Sequence, residues 1–263
     1  MSSHERGWTT SAVEVACPDA RGRLLGRPVS GLCGGRVRGT GGGVPRAAAA
    51  APLRLDPNTA WTVETSGCAT RELEGVLECP EDPAATVESM AAVAKESRLQ
   101  LATDMRVIAW EYLRPTVGRN AIRALLTDHH DWGGLRRTRE LAAACEAFGP
   151  ALAISMHSNS RLGISLAAMT QVAAAIPNLD RSCDTHYLWK CADDVIRPGG
   201  VELADRAVRA PPVPRLGVEL DHEALDRQHR QHRQHRQSGM RTRDDTGYLR
   251  RVDPTYELGL PRW

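Results

Sequence analysis

From residue 52 onward, short apolar runs alternate with longer stretches of helical periodicity. Six of these runs close on an acid or a histidine: Leu-Arg-Leu-Asp56, Glu-Cys-Pro-Glu81, Leu-Ala-Thr-Asp104, Leu-Leu-Thr-Asp128, Ile-Ser-Met-His157 and Cys-Asp184-Thr-His186. Their polar ends lie 25, 23, 24, 29 and 29 residues apart. That interval is one strand plus one helix, repeated, and it predicts a parallel sheet with right-handed crossovers. In a barrel of such units the strand ends meet on one face, where catalytic groups collect.

Between the runs, helical spacing predicts helices over 61–76, 83–96, 105–112, 134–148 and 162–176. Thr62 is placed to cap the first. Arg136, Arg137, Arg139 and Glu140 mark the outer face of the fourth, and the fifth is apolar enough to be packed on both sides. Before residue 52, apolar positions from Ser11 to Cys17 predict one helix, stopped at Gly26-Arg-Pro28. The expected organisation is a remnant helical segment over 1–38 and a Gly/Ala-rich join over 39–51. A partial barrel over 52–200 and a C-terminal segment over 201–263 follow. The last segment holds the triplet repeat Gln-His229-Arg, Gln-His232-Arg, Gln-His235-Arg, read as solvated and of low complexity.

Composition narrows the function only slightly. Thirty-four basic and 32 acidic residues leave a net charge of +2, which gives no reason to expect nucleic acid or a membrane surface as partner. The seven cysteines include no Cys-x-x-Cys pair and suit reduced thiols in the cytoplasm. Lysine occurs only at Lys95 and Lys190, which restricts catalysis through an amine.

The candidate chemistry lies at the strand ends. Asp56, Glu81 and Asp104 offer a hard cation such as Mg²⁺ three oxygen ligands from adjacent strands. An acid at a strand end also caps a following helix readily, but three at matched spacing favour the metal. Asp128 and His157, on successive strand ends, are expected to form an acid/base dyad, with the aspartate orienting the imidazole. His129 and His130 are expected in a solvated loop. His186 could contact a substrate hydroxyl, and Arg243 could grip a carboxylate through its planar fork.

Several of these stretches together resemble one known family. They are Leu-Asp56-Pro-Asn-Thr-Ala-Trp61, Glu81-Asp-Pro83, Leu-Ala-Thr-Asp104-Met, Asp128-His-His-Asp-Trp-Gly-Gly134, Ser-Met-His157-Ser-Asn159-Ser, Cys-Asp184-Thr-His186-Tyr and Arg243-Asp-Asp-Thr-Gly-Tyr248. They are similar to the glucarate dehydratases, Mg²⁺-dependent enzymes of the enolase superfamily in its mandelate racemase branch. The resemblance implies an α/β fold, an incomplete (β/α)-barrel of the enolase type. The first two strand–helix units and most of the N-terminal capping domain would be missing.

The same resemblance implies Asp56, Glu81 and Asp104 as Mg²⁺ ligands, His157 with Asp128 as the dyad, and Asn159, His186 and Arg243 as the grip on a sugar diacid. The family removes a proton next to a carboxylate, and the β-hydroxyl then leaves as water. Its Lys-x-Lys base motif is absent here, so only the epimer whose proton faces the histidine is expected to react. The alternative is an inactive relic, or a metal-binding subunit packed on an intact paralogue. A homo-oligomer is one way to shield the open edge of the barrel.

Overall fold

The computed structural model describes residues 3–37, 53–148, 152–158, 161–179, 181–189, 191–204 and 207–237. Asn159 and Arg243, the join over 39–51 and Lys190 lie outside the described residues. By contacts the chain divides into Met1–Glu219 and Leu220–Trp263.

In the first unit, strand and helix alternate as the polar ends require. The order is β1 (Leu53–Leu55), α3 (Val63–Glu72), β2 (Leu77–Pro80), α4 (Val87–Glu96), β3 (Ala102–Thr103), α5 (Trp110–Gly118), β4 (Ala124–Thr127), α6 (Leu135–Ala147), β5 (Ala153–Met156) and α7 (Gly163–Ala173). Strand β1 pairs with β2, β3 with β4 and β4 with β5, all parallel. A parallel bridge from Glu81 to Ala102 joins β2 to β3, and another joins Ile154 to Leu179 beyond α7. Chain order therefore equals spatial order along the sheet. A doubly wound sheet would reverse that order at a switch point, whereas a barrel wall does not.

Alternation along the strands divides the buried residues into two layers. Cys79, Ala102, Ala124, Leu126 and Ala153 form a small cluster from four neighbouring strands, the inner lining of the wall. Leu125, Ile154 and Met156 point the other way, into the larger cluster shared with Met90, Leu135, Leu141, Leu166 and Val172 from the helices. Helix α7 is buried over almost its whole length, as its composition predicts.

Two helices differ from the sequence reading, each for a local reason. The third was expected over 105–112 but runs from Trp110 to Gly118. The amides of Asp104 and Met105 donate to the Asp82 carboxylate, and that of Arg106 donates to Thr103 Oγ1, so the chain wraps round those side chains first. The second difference is in the C-terminal unit, where the triplet repeat, expected as a solvated low-complexity stretch, lies within a helix, α8 (His222–Gln237). Asp221 Oδ1 accepts the Ala224 amide and caps its start, and Gln and Arg are good helix formers. Two short strands, β6 (Leu203–Ala204) and β7 (Ala207–Val208), form a small antiparallel pair in the first unit.

The N-terminal helix α1 (Ser3–Leu25) is longer than the apolar pattern alone predicts, and α2 (Val29–Leu32) follows it. Glu14 of α1 caps a helix distant in sequence, since the amides of Leu135 and Arg136 at the start of α6 donate to its carboxylate. Gly134, at φ +120°, makes this possible: a Cβ there would sit 2.1 Å from Glu14 Oε2. Ser11 Oγ donates to the His129 carbonyl at 3.4 Å, so α1 rests on the turn after β4.

Candidate metal and acid/base site

Each candidate in the strand series sits one residue beyond a strand. Asp56 follows β1, Glu81 β2, Asp104 β3, Asp128 β4 and His157 β5. Glu81, Asp104, Asp128 and His157 share the parity of the inner lining (Cys79, Ala102, Leu126 and Ala153), so the pleat aims their side chains to the inner side of the wall at the strand ends.

Three of the five converge. Donor atoms of Glu81, Asp104 and His157 lie within 4.8 Å of one another. His157 Nε2 is 3.3 Å from Asp104 Oδ2. Glu81 is 3% exposed and His157 9%. Asp56 stays at the rim, where its carboxylate accepts from the backbone and side chain of Asn58 at 2.7 and 2.9 Å.

The expected dyad needs correction. Asp128 does not partner His157; its carboxylate is taken up by His130 Nδ1 at 2.5 Å and Arg161 Nη2 at 3.1 Å. The acid beside His157 is Asp184, whose Oδ1 is 3.0 Å from His157 Nδ1. The turn after β4 folds back on its own aspartate, with the His130 amide also donating to Asp128 Oδ1 at 2.9 Å. Asp184 instead arrives from the segment that follows Leu179, where its amide meets the Met156 carbonyl at 3.3 Å. His129 and His130 are not solvated either: His129 is 2% exposed and His130 half-buried. His186 donates its amide to the Ser158 carbonyl at 3.3 Å, which ties it to the end of β5.

Two further residues organise the cluster and were missed in the sequence. Arg54, inside β1, reaches Asp184 Oδ2 at 2.9 Å and Glu81 Oε2 at 3.6 Å, and donates to the Ser182 carbonyl at 2.8 Å. Asp82, fully buried at φ +38°, accepts from Thr103 Oγ1 at 2.5 Å and from two amides, those of Asp104 at 2.9 Å and Met105 at 3.1 Å. It fixes the turn that carries Asp104. The signal was the acid pair Glu81-Asp82 before Pro83, in which only the first acid looked functional.

The electrostatics follow from crowding three acids and a histidine away from water. Burial pushes Glu81 up to about 8 against the opposing charge of His157, and Asp56 adds to the rise. Burial also raises Asp104, with the Asp82 carboxylate adding to it. Burial alone would lower His157, but Asp184, Asp104 and Glu81 outweigh it and raise its proton affinity. Asp184 is lowered: the bond to His157 and the charges of His157 and Arg54 overcome burial.

Glu81 Oε1 and Asp104 Oδ1 are buried without a hydrogen-bond partner. Orphaned carboxylate oxygens are costly, and an oxygen-seeking divalent cation satisfies both. The donors therefore fit Mg²⁺.

A family described as enolase C-terminal domain-like matches residues 44–224. The chain belongs to the enolase superfamily. Among its relatives, it is 44% identical over 219 residues to a Streptomyces coelicolor protein named "Probable glucarate dehydratase", covering 81% of this chain and 48% of that one. It is 25% identical over 180 residues to a chloromuconate cycloisomerase of Pseudomonas putida, covering 66% of this chain and 47% of the other. The chain thus spans about half the length of the curated relatives it matches.

Solved structures are covered more fully. An enolase of Mycobacterium smegmatis complexed with tartrate superposes with a TM-score of 0.85 at 39% identity, over 98% of this chain and 75% of that one. An enolase of Thermobispora bispora complexed with magnesium and formate gives 0.86 at 40% identity, over 95% and 73%. The fold is accordingly an incomplete enolase-type barrel, and the family resemblance carried by the sequence motifs holds.

Proposed function

We propose that this chain carries an acid-sugar dehydratase site of the glucarate dehydratase type. The observation that supports it most is the convergence of Glu81, Asp104 and His157 from three separate strand ends into one buried cluster with unpartnered carboxylate oxygens. Glu81 and Asp104 would hold Mg²⁺, with Asp56 at the rim completing the set. When bound, the cation supplies positive charge for a substrate carboxylate whose neighbouring carbon is losing a proton.

His157 is the proton carrier. Asp184 at Nδ1 orients the ring and favours the tautomer that leaves Nε2 to act on substrate. Nε2 takes the proton from the carbon next to the carboxylate, and the C–H electron pair becomes a C=C bond. The β-hydroxyl then leaves, receives that proton and departs as water; the enol product becomes the keto acid. Arg54 keeps Asp184 and Glu81 in place. His186, with Asn159 and Arg243, is assigned to binding the diacid. Tartrate, itself a hydroxylated diacid, in the M. smegmatis enolase agrees with that substrate class. All seven cysteines are free, which suits a reducing cytoplasm.

A second reading, an inactive remnant, draws on the lysines. Lys95 sits in the last turn of α4 and lines a 420 Å³ furrow with Gln100, Leu101 and Arg123, near the start of β3 and β4 and opposite the site. It cannot serve as a second base. The deciding experiment is conversion of D-glucarate to the dehydrated keto acid by the purified chain with Mg²⁺, with His157→Ala as control. Conversion that is lost in His157→Ala supports the proposal; no conversion by folded, Mg²⁺-binding protein favours the remnant.

A further inference from the structure

The turn after β4 holds a second group of ligands that the proposed chemistry does not use. Asp128, His129 and His130 present one carboxylate and two imidazoles whose donor atoms lie within 4.8 Å of one another. We propose that these three residues form a separate site for a borderline transition cation such as Zn²⁺.

Three observations support this. First, His129 is 2% exposed, and neither of its ring nitrogens has a hydrogen-bond partner. A buried imidazole without a partner costs free energy that a coordinate bond removes.

Second, the donors face one another. His130 Nδ1 is 2.5 Å and His129 Nδ1 is 3.6 Å from Asp128 Oδ1. Ligands of a tetrahedral zinc ion with bonds near 2.05 Å stand about 3.3 Å apart. His129 already stands near that spacing, and the ion enters by replacing the His130–Asp128 hydrogen bond and widening that pair.

Third, the outer contacts are those a metal ligand needs. His130 Nε2 meets Ser165 Oγ at 3.1 Å, an outer contact that orients the ring. Arg161 Nε holds the other Asp128 oxygen at 3.1 Å. The His130 side chain is 16% exposed, so water can reach a fourth position.

The two clusters differ in kind. Glu81 and Asp104 suit a hard cation, whereas two imidazoles and one carboxylate suit zinc, nickel or copper. The inference stands apart from the dehydratase proposal.

The test uses the full chain with His222, His229, His232 and His235 changed to Gln, which removes every histidine of α8. With Mg²⁺ saturating, Zn²⁺ is titrated by calorimetry and its ligands are counted by X-ray absorption. One Zn²⁺ bound through two imidazoles is expected. His129→Gln should weaken it by more than the ~10–100-fold that loss of an outer contact costs, and Glu81→Gln should not. The absorption count needs no further variant, so misfolding of His129→Gln would not hide the answer. A single imidazole, marking the His157 cluster, overturns the site, as does Zn²⁺ affinity unchanged in folded His129→Gln.

Discussion

His157 Nδ1 and Asp184 Oδ1 stand 3.0 Å apart, and through this contact the segment after Leu179 reaches the histidine proposed to carry the proton. A carboxylate in that position fixes the imidazole tautomer and stabilises the charged ring. Asp184→Asn is expected to lower kcat for proton removal by about 10²–10⁴-fold. KM for the diacid should change far less, and steady-state kinetics separate the two. Asp128→Asn, whose carboxylate belongs to His130 and Arg161, should have the smaller effect on kcat.

Removing the cation should expose what it compensates. Mg²⁺ at 100 times its Kd is expected to add about 2.7 kcal/mol to unfolding, provided that it binds only the folded chain. Thermal melts with and without chelator measure this. Glu81→Gln should abolish the Mg²⁺-dependent rise, since it removes the charge of a ligand whose Oε1 has no other partner.

The turn after β4 should make the protein acid-sensitive. Burial alone would raise Asp128, but the bond to His130 and the charges of His129, His130 and Arg161 hold it well below its ordinary 3.8. A lowered carboxyl stabilises the fold above its unfolded value and loses that contribution as pH falls. Denaturant curves should therefore show stability declining below about pH 4, with a flatter profile in Asp128→Asn.

Asp82 is expected to matter as much as the acids beside it. Asp82→Ala removes three hydrogen bonds from a fully buried carboxylate and should cost about 3 kcal/mol or more by chemical denaturation. It should also weaken Mg²⁺ binding, because Asp104 loses its anchor. Asp82→Asn keeps one acceptor oxygen and should recover part of both losses.

Much of this site was legible because a strand–helix repeat places each terminal residue at the same end of the sheet. Interval alone therefore located Asp56, Glu81, Asp104, Asp128 and His157 one residue past their strands. Pairing was less legible. The choice between Asp128 and Asp184 as partner to His157 depends on how two loops fold back, which periodicity does not encode. Arg54 lay in an apolar run and read as an ordinary strand residue. Helix α5 began late because side chains, rather than backbone carbonyls, accept the amides of residues 104–106. The His repeat in α8 read as a solvated low-complexity stretch because it has no apolar face, although each residue type tolerates a helix.

The central claim is that His157 moves the proton next to a diacid carboxylate. Hydrogen exchange of D-glucarate in D₂O with Mg²⁺, followed by ¹H NMR, tests this more directly than product formation, because it reads the first step alone. The account predicts that one α-hydrogen exchanges with the wild-type chain and none with His157→Gln. Exchange that persists in His157→Gln, or its absence from folded, Mg²⁺-bound wild-type protein, would contradict it.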